Sequence, residues 1–326
     1  MAARPTLEDR LAALRKLRAG PIGPEEVAAL RKALADRSNL IVAAAAEIAG
    51  ENGLLELSKD LEAAFPRFLV DPVKNDRLCR AKTTIVQALE KMEHARVEVF
   101  ETASTYIQNE PVFGGSEDTA VELRCVGLAG LARIEGSAAL PRFIDAMIDP
   151  ARDVRAASAQ AMGCIGSEAA GMVLRLKARL GDREPEVFSE CLSGLLMVDP
   201  RANLPLVAEY LVPSSEDRCE AAAMAMGKSR IPEALDLLKE CWPRCPSMGL
   251  RQRVLLAIAM MRLPAAIDHL LEVVGSDSEK DAAAALGALK IHSYDPKLRD
   301  RLEAIVHESG SRTLRAIFDR DFPSID

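Results

Sequence analysis

The stretch Pro200-Arg201-Ala202-Asn203-Leu204-Pro205-Leu206-Val207-Ala208-Glu209-Tyr210 decides the fold, because its outline returns at a fixed interval. Pro200, Pro232, Pro264 and Pro296 are spaced 32 residues apart. Six residues after each comes Leu206, Leu238, Leu270 or Leu302, and ten after each comes Tyr210, Trp242, Val274 or Val306. Ala202, Ala234, Ala266 and Leu298 stand at the second position. Steps of four return to one side of a helix, so these offsets mark a buried helical face. Proline fits the first helical position, where its missing N–H costs nothing, and Asp199 and Asp295 are suited to cap two of these helices. One step earlier Glu168 replaces the proline, while Ala170 and Leu174 keep the register.

A second helix is expected in each repeat. Ala161-Met162-Gly163 and Ala225-Met226-Gly227 lie 64 residues apart, two periods of 32. Small side chains there let neighbouring helices approach closely. Around the first of them runs Asp149-Pro150-Ala151-Arg152-Asp153-Val154-Arg155-Ala156-Ala157, ending in Met162-Gly163-Cys164-Ile165-Gly166. This run resembles a HEAT repeat, and more narrowly the short bacterial HEAT-like repeat also found in phycobilin lyases. The resemblance implies an all-α fold, a right-handed α-solenoid of about eight stacked antiparallel helix pairs. It specifies a fold better than a function.

The expected organisation is one continuous array over 1–326. An N-terminal capping helix covers 1–23, with Thr6-Leu7-Glu8-Asp9 as its capping-box start. Irregular repeats follow over 24–110, regular 32-residue repeats over 117–310, and a C-terminal cap over 311–326. The segment Gln108-Asn109-Glu110-Pro111-Val112-Phe113-Gly114-Gly115-Ser116-Glu117-Asp118 interrupts the pattern with turn chemistry and no helical period. It reads as a long loop, and long loops in compact folds are often functional.

Composition narrows the function classes. The chain has 326 residues, 49% apolar but only 4% aromatic, so Ala- and Leu-rich helices are favoured over sheets. Its net charge is −7, which disfavours nucleic acid as the main partner. Residues 101–150 hold eight acids and three bases, so five of those charges lie around the interruption. No apolar run reaches the length of a membrane span, and Met1-Ala2-Ala3-Arg4-Pro5 opens no secretory signal. Seven cysteines without framework spacing suggest reduced thiols and a cytoplasmic setting.

Deoxyhypusine hydroxylase resembles this fold and holds two irons through four His-Glu dipeptides, of which this chain has His307-Glu308 alone. The four histidines read as solvated helix surface. Alkylpurine DNA glycosylases need a basic face and aromatic side chains, but Trp242 occupies an apolar lattice position. Cys241-Trp242-Pro243-Arg244-Cys245 has the wrong spacing for a zinc pair. The other cysteines read as small core residues. No phosphate loop or nucleophile elbow occurs. No metal or cofactor is expected.

The expectation is therefore a non-catalytic protein–protein interaction scaffold, binding a protein or peptide along the concave face. A phycobilin-lyase-like enzyme or chaperone acting on a protein is the alternative, and nucleic-acid binding ranks third. The candidate contact residues are Arg77, Arg80, Arg124, Arg155, Arg218 and Arg251, at the starts of second helices, with Tyr106 and Phe113 at the interruption. The arginines form either an exposed ridge or, on the favoured reading, an inter-repeat ladder with acids such as Asp149, Asp153, Asp182 and Asp217. The methionines of the second helices, Met162, Met197, Met224, Met226, Met260 and Met261, divide between core and surface.

Overall fold

A computed structural model describes residues 5–276 and 278–323. The opening residues 1–4, and residues 324–326 of the expected C-terminal cap, lie outside the described residues. The chain forms two compact units, Met1–Ala161 and Met162–Asp326.

In the first unit α1 (Leu7–Arg18), α2 (Pro24–Leu34) and α3 (Asn39–Glu51) precede α4 (Ser58–Ala64), the single turn α5 (Pro72–Asn75) and α6 (Arg80–Lys91). Then come α7 (Val97–Thr105), strands β1 (Asn109–Val112) and β2 (Gly115–Asp118), α8 (Val121–Glu135) and α9 (Leu140–Ala146). Helices α1, α3, α6 and α8 lie side by side, and α2, α4 and α7 pack against them as a second layer. Helix α10 (Arg152–Ile165) leads into the second unit. There α11 (Glu168–Leu180), α13 (Pro200–Ala208), α15 (Ala234–Cys241), α17 (Pro264–Val274) and α19 (Pro296–Ser309) are the first helices of successive pairs. Their partners are α12 (Pro185–Val198), α14 (Glu216–Ser229), α16 (Met248–Met260), α18 (Glu279–Leu289) and α20 (Arg312–Asp321). The fold is an all-α solenoid of stacked helix pairs, broken by one hairpin.

The 32-residue lattice is the core. Leu206, Leu238, Leu270 and Leu302 are all buried, as are Ala234, Ala266, Leu298, Val274 and Val306. Each such leucine contributes about 1.5–3 kcal/mol by leaving water. Tyr210 and Trp242, at the wider end of the lattice, are half-buried, and Ala202 is exposed. Pro200, Pro264 and Pro296 open their helices, and Asp199 and Asp295 accept hydrogen bonds from first-turn amides. Pro232 departs from this pattern. It lies in the turn before α15, because that helix begins only at Ala234.

Close helix contact explains the small residues. A Cβ on Gly227 of α14 would stand 2.5 Å from the Ala257 carbonyl oxygen of α16. One on Gly163 would stand 2.7 Å from the Cα of Gly194 in α12. Met162, Met226 and Met261 fill the core, whereas Met197 is exposed.

Three sequence expectations need correction. Residues 108–118 are not an irregular loop: β1 and β2 pair antiparallel, with Asn109 opposite Asp118 and Val112 opposite Gly115. Gly114 takes φ +87° and closes a two-residue turn that an L side chain disfavours. The histidines are not all solvated surface. His292 is buried with Nε2 2.8 Å from the Ala259 carbonyl oxygen, and His94 and His269 are half-buried. Finally, Cys164 is exposed rather than a core residue, although Cys79, Cys191, Cys219, Cys241 and Cys245 are buried. Burial pushes the Cys79 and Cys191 thiols up to about 12.

Candidate protein-binding site: a hairpin on a buried ionic base

The chain entering α6 reverses sharply. Asp71, Leu78 and Cys79 all take left-handed backbone conformations, with φ of 44°, 61° and 53°. For residues other than glycine this costs about 1–3 kcal/mol each. The reversal brings the Asp76 carboxylate back over the first turn of α6. It accepts hydrogen bonds from the backbone N–H of Ala81 at 2.7 Å and of Lys82 at 3.0 Å. The Lys82 ammonium then closes on the same carboxylate, donates to the Phe68 carbonyl at 3.1 Å, and sits 5.2 Å from the centre of the Tyr106 ring. Asp76 thus neutralises a buried charge and satisfies orphan amides at a helix start.

The hairpin rests on this base. Gln108 Nε2 donates to the Asp76 carbonyl and to Glu110 Oε1, each at 2.8 Å. Glu110, buried on β1, also accepts from Thr119 Oγ1 at 2.9 Å and from the Leu78 backbone N–H. Burial opposes its ionisation, but hydrogen bonds from Gln108, Thr119 and Leu78, with the nearby Arg77 charge, hold its carboxyl below the usual range. On the far side Arg124 of α8 pairs with Asp118 at 2.7 Å and Asp149 at 3.1 Å, and donates to the Tyr106 carbonyl. Arg155 donates to the Asp149 and Pro150 carbonyls at 2.8 and 3.1 Å.

Above the ionic base the surface turns apolar. Phe113 at the hairpin tip has a relative exposure of 109%, and Val112, Ile107 and Leu78 are also exposed. Arg77, its side chain 80% exposed, lies 3.9 Å from Glu110. An exposed aromatic on a pinned hairpin, with an exposed cation near the hairpin's base, is the chemistry of an interface anchor.

The structure brings four of the sequence candidates together here: Arg77, Tyr106, Phe113 and Arg124. Arg155 joins them through Asp149. Arg80 lines a separate groove against α1 and α3. Arg218 lies in the second unit, 5.9 Å from the Phe188 ring centre. Arg251, also there, pairs with Asp281 at 3.2 Å and donates to the Cys245 and Pro243 carbonyls. The guanidinium groups of Arg124, Arg155 and Arg251 are thus engaged by their own chain. Asp76, Lys82, Gln108, Glu110 and Thr119 escaped sequence reading. Only the Phe113-Gly114-Gly115 turn signalled the hairpin.

Residues 204–290 match the family model for HEAT repeats, so this stretch of the chain is built of HEAT repeats. Comparison with curated proteins finds no match. Among solved structures, the chain is similar to the complex of CpcE and CpcF of phycocyanin lyase from Nostoc sp. PCC7120, at 17% identity and a TM-score of 0.40, over 80% of this chain and 94% of that one. It is similar to an engineered protein at 14% identity and a TM-score of 0.37, over 97% and 96%. A third is human deoxyhypusine hydroxylase in complex with glycerol, at 16% identity and a TM-score of 0.30, over 90% and 92%. No group of three or more His, Cys, Asp or Glu side chains suited to a metal occurs among the described residues. No helix among them is long and apolar enough to cross a membrane.

Proposed function

We propose that the chain is a non-catalytic scaffold that binds a protein partner, with the hairpin platform as a docking element. The observation that carries this reading is Phe113. It stands fully exposed on a hairpin whose base is pinned by Glu110, Gln108 and Arg124. A hairpin whose base is held in place loses little backbone entropy when a partner covers its tip. Arg77 and Leu78 give that partner a cation and a second apolar contact. The stack of helix pairs around it supplies a stiff frame, and HEAT repeats over 204–290 are compatible with such a role.

The test replaces Phe113 with a photo-crosslinking phenylalanine analogue in the full chain. One discrete crosslinked protein, lost when Arg77 is changed to Glu, supports the reading. No crosslinked protein, together with an absorbance change when a bilin is mixed in, overturns it in favour of the lyase-like alternative.

A further inference from the structure

A groove of about 450 Å³ crosses α1, α3 and α6 in the first unit. Four cations line it: Arg15, Arg18, Arg80 and Lys91. One carboxylate, Glu47, faces them, so the lining carries 4 − 1 = +3 in a chain of net −7. Arg18 is held by Glu47 at 3.2 Å and by Glu51. Arg15, Arg80 and Lys91 are exposed and form no ion pair among the described residues. Leu11, Leu40 and Ala44, each half-buried, line it with apolar surface. The corresponding groove across α14, α16 and α18 in the second unit has the opposite balance: Glu216, Asp217 and Glu220 against Arg253. Cationic lining is therefore not a general property of the second-helix surface.

Unpaired cations above an apolar floor fit a ligand that carries both carboxylates and small apolar side chains. We infer that this groove takes an acidic amphipathic peptide segment of a protein partner. Its carboxylates meet Arg15, Arg80 and Lys91, and its alanine- or leucine-sized side chains lie on Leu11, Leu40 and Ala44. Nucleic acid fits less well, because no aromatic side chain lines the groove to stack a base. The inference rests on the scaffold reading and adds a second contact, separate from the hairpin, with its own partner chemistry. Arg80, a sequence candidate, belongs to this contact.

The experiment measures fluorescence anisotropy of the full chain with three labelled probes. The first is a peptide of glutamate, alanine and leucine of about 15 residues, roughly 22 Å long as a helix. The second is its lysine counterpart, and the third a single-stranded oligonucleotide of matching charge. The glutamate peptide should bind at low salt and weaken as salt screens it. The double variant Arg80→Glu with Lys91→Glu should weaken it at least about tenfold, or 1.4 kcal/mol. Arg80→Gln with Lys91→Gln, a milder change at two exposed positions, should weaken it less. Helical circular dichroism and the melting temperature confirm that both variants fold. Met172→Ser, at an exposed position on α11, should leave this affinity unchanged. Absence of binding, equal binding of the lysine peptide, tighter binding of the oligonucleotide, or an affinity indifferent to both double variants would overturn the inference. If the crosslink at position 113 still captures a protein in those cases, the scaffold reading stands and the groove assignment alone falls.

Discussion

Lys82 Nζ lies 2.9 Å from Asp76 Oδ2, and neither side chain has any solvent exposure. A buried ion pair need not stabilise a fold, since desolvation offsets attraction, but breaking one leaves an uncompensated charge. Here the pair lies directly under the hairpin, between the left-handed turn at Leu78 and the ring of Tyr106. It sets the position of the docking element as well as the start of α6.

Removing one partner should therefore be costly. Lys82→Met and Asp76→Asn are each expected to destabilise the protein by about 3–5 kcal/mol in urea unfolding. The double variant should lose less than the sum of the two, with a coupling above about 1 kcal/mol. It should not recover fully, because Asp76 also accepts from two backbone amides of α6. Strict additivity would show that the two charges act independently.

The hairpin separates a structural carboxylate from a surface aromatic three residues away. Glu110→Ala leaves the Leu78 amide without an acceptor and removes one acceptor each from Gln108 and Thr119, so a loss of about 1–3 kcal/mol is expected. Phe113→Ser removes only exposed surface and should change stability by less than about 0.5 kcal/mol. Differential scanning calorimetry on both variants checks this contrast. A marked fall in melting temperature for Phe113→Ser would make the tip a packing element instead.

The helix stack offers an opposite pair of glycines. Gly227→Val forces a side chain into the Ala257 backbone and should cost about 1–3 kcal/mol or more. Gly287 of α18 faces open space, with nothing within 4 Å of an added Cβ. Gly287→Ala should stabilise by about 0.4–1 kcal/mol, because the unfolded chain loses freedom and the helix gains propensity. Chemical denaturation distinguishes the two. Equal effects would refute the close approach of α14 and α16.

The same contrast explains what the sequence could reveal. Leu238, Leu270 and Leu302 were legible because a 32-residue period repeats the same burial many times. Gly163 and Gly227 were legible for the same reason. The hairpin was not, since four-residue strands are too short to show alternation, and Gly114-Gly115 reads equally as a loop. Asp76 and Lys82 were hidden because a left-handed reversal, not a helical step, brings them together. His292 was misread because its buried ring is satisfied by the carbonyl of Ala259, 33 residues away. Arg80 was picked for its place at a helix start. Its separation from Arg77 into another groove depends on the handedness of that same reversal.

The final helix makes a pH-dependent contact. Asp321 ends α20 with its side chain buried, while Arg320 and Lys290, which both reach it, are largely exposed. The hydrogen bond from Arg320, with Lys290 in support, outweighs burial and holds the carboxyl at about 2, below its ordinary 3.8. A carboxyl depressed in the folded state stabilises that state fully above the unfolded value. The contribution should then be complete above about pH 5 and fade as the pH falls from about 4 through 2. Phe322, stacked on Phe318 at 5.7 Å and bonded through its carbonyl to Arg299, should loosen with it. Thermal melts of the wild type should therefore drop more steeply between about pH 5 and 2.5 than those of Asp321→Asn, which has no charge to lose. High salt should shrink the difference, because the two cations face solvent. Identical acid profiles for the two proteins would mean that Asp321 does not anchor the end of the stack.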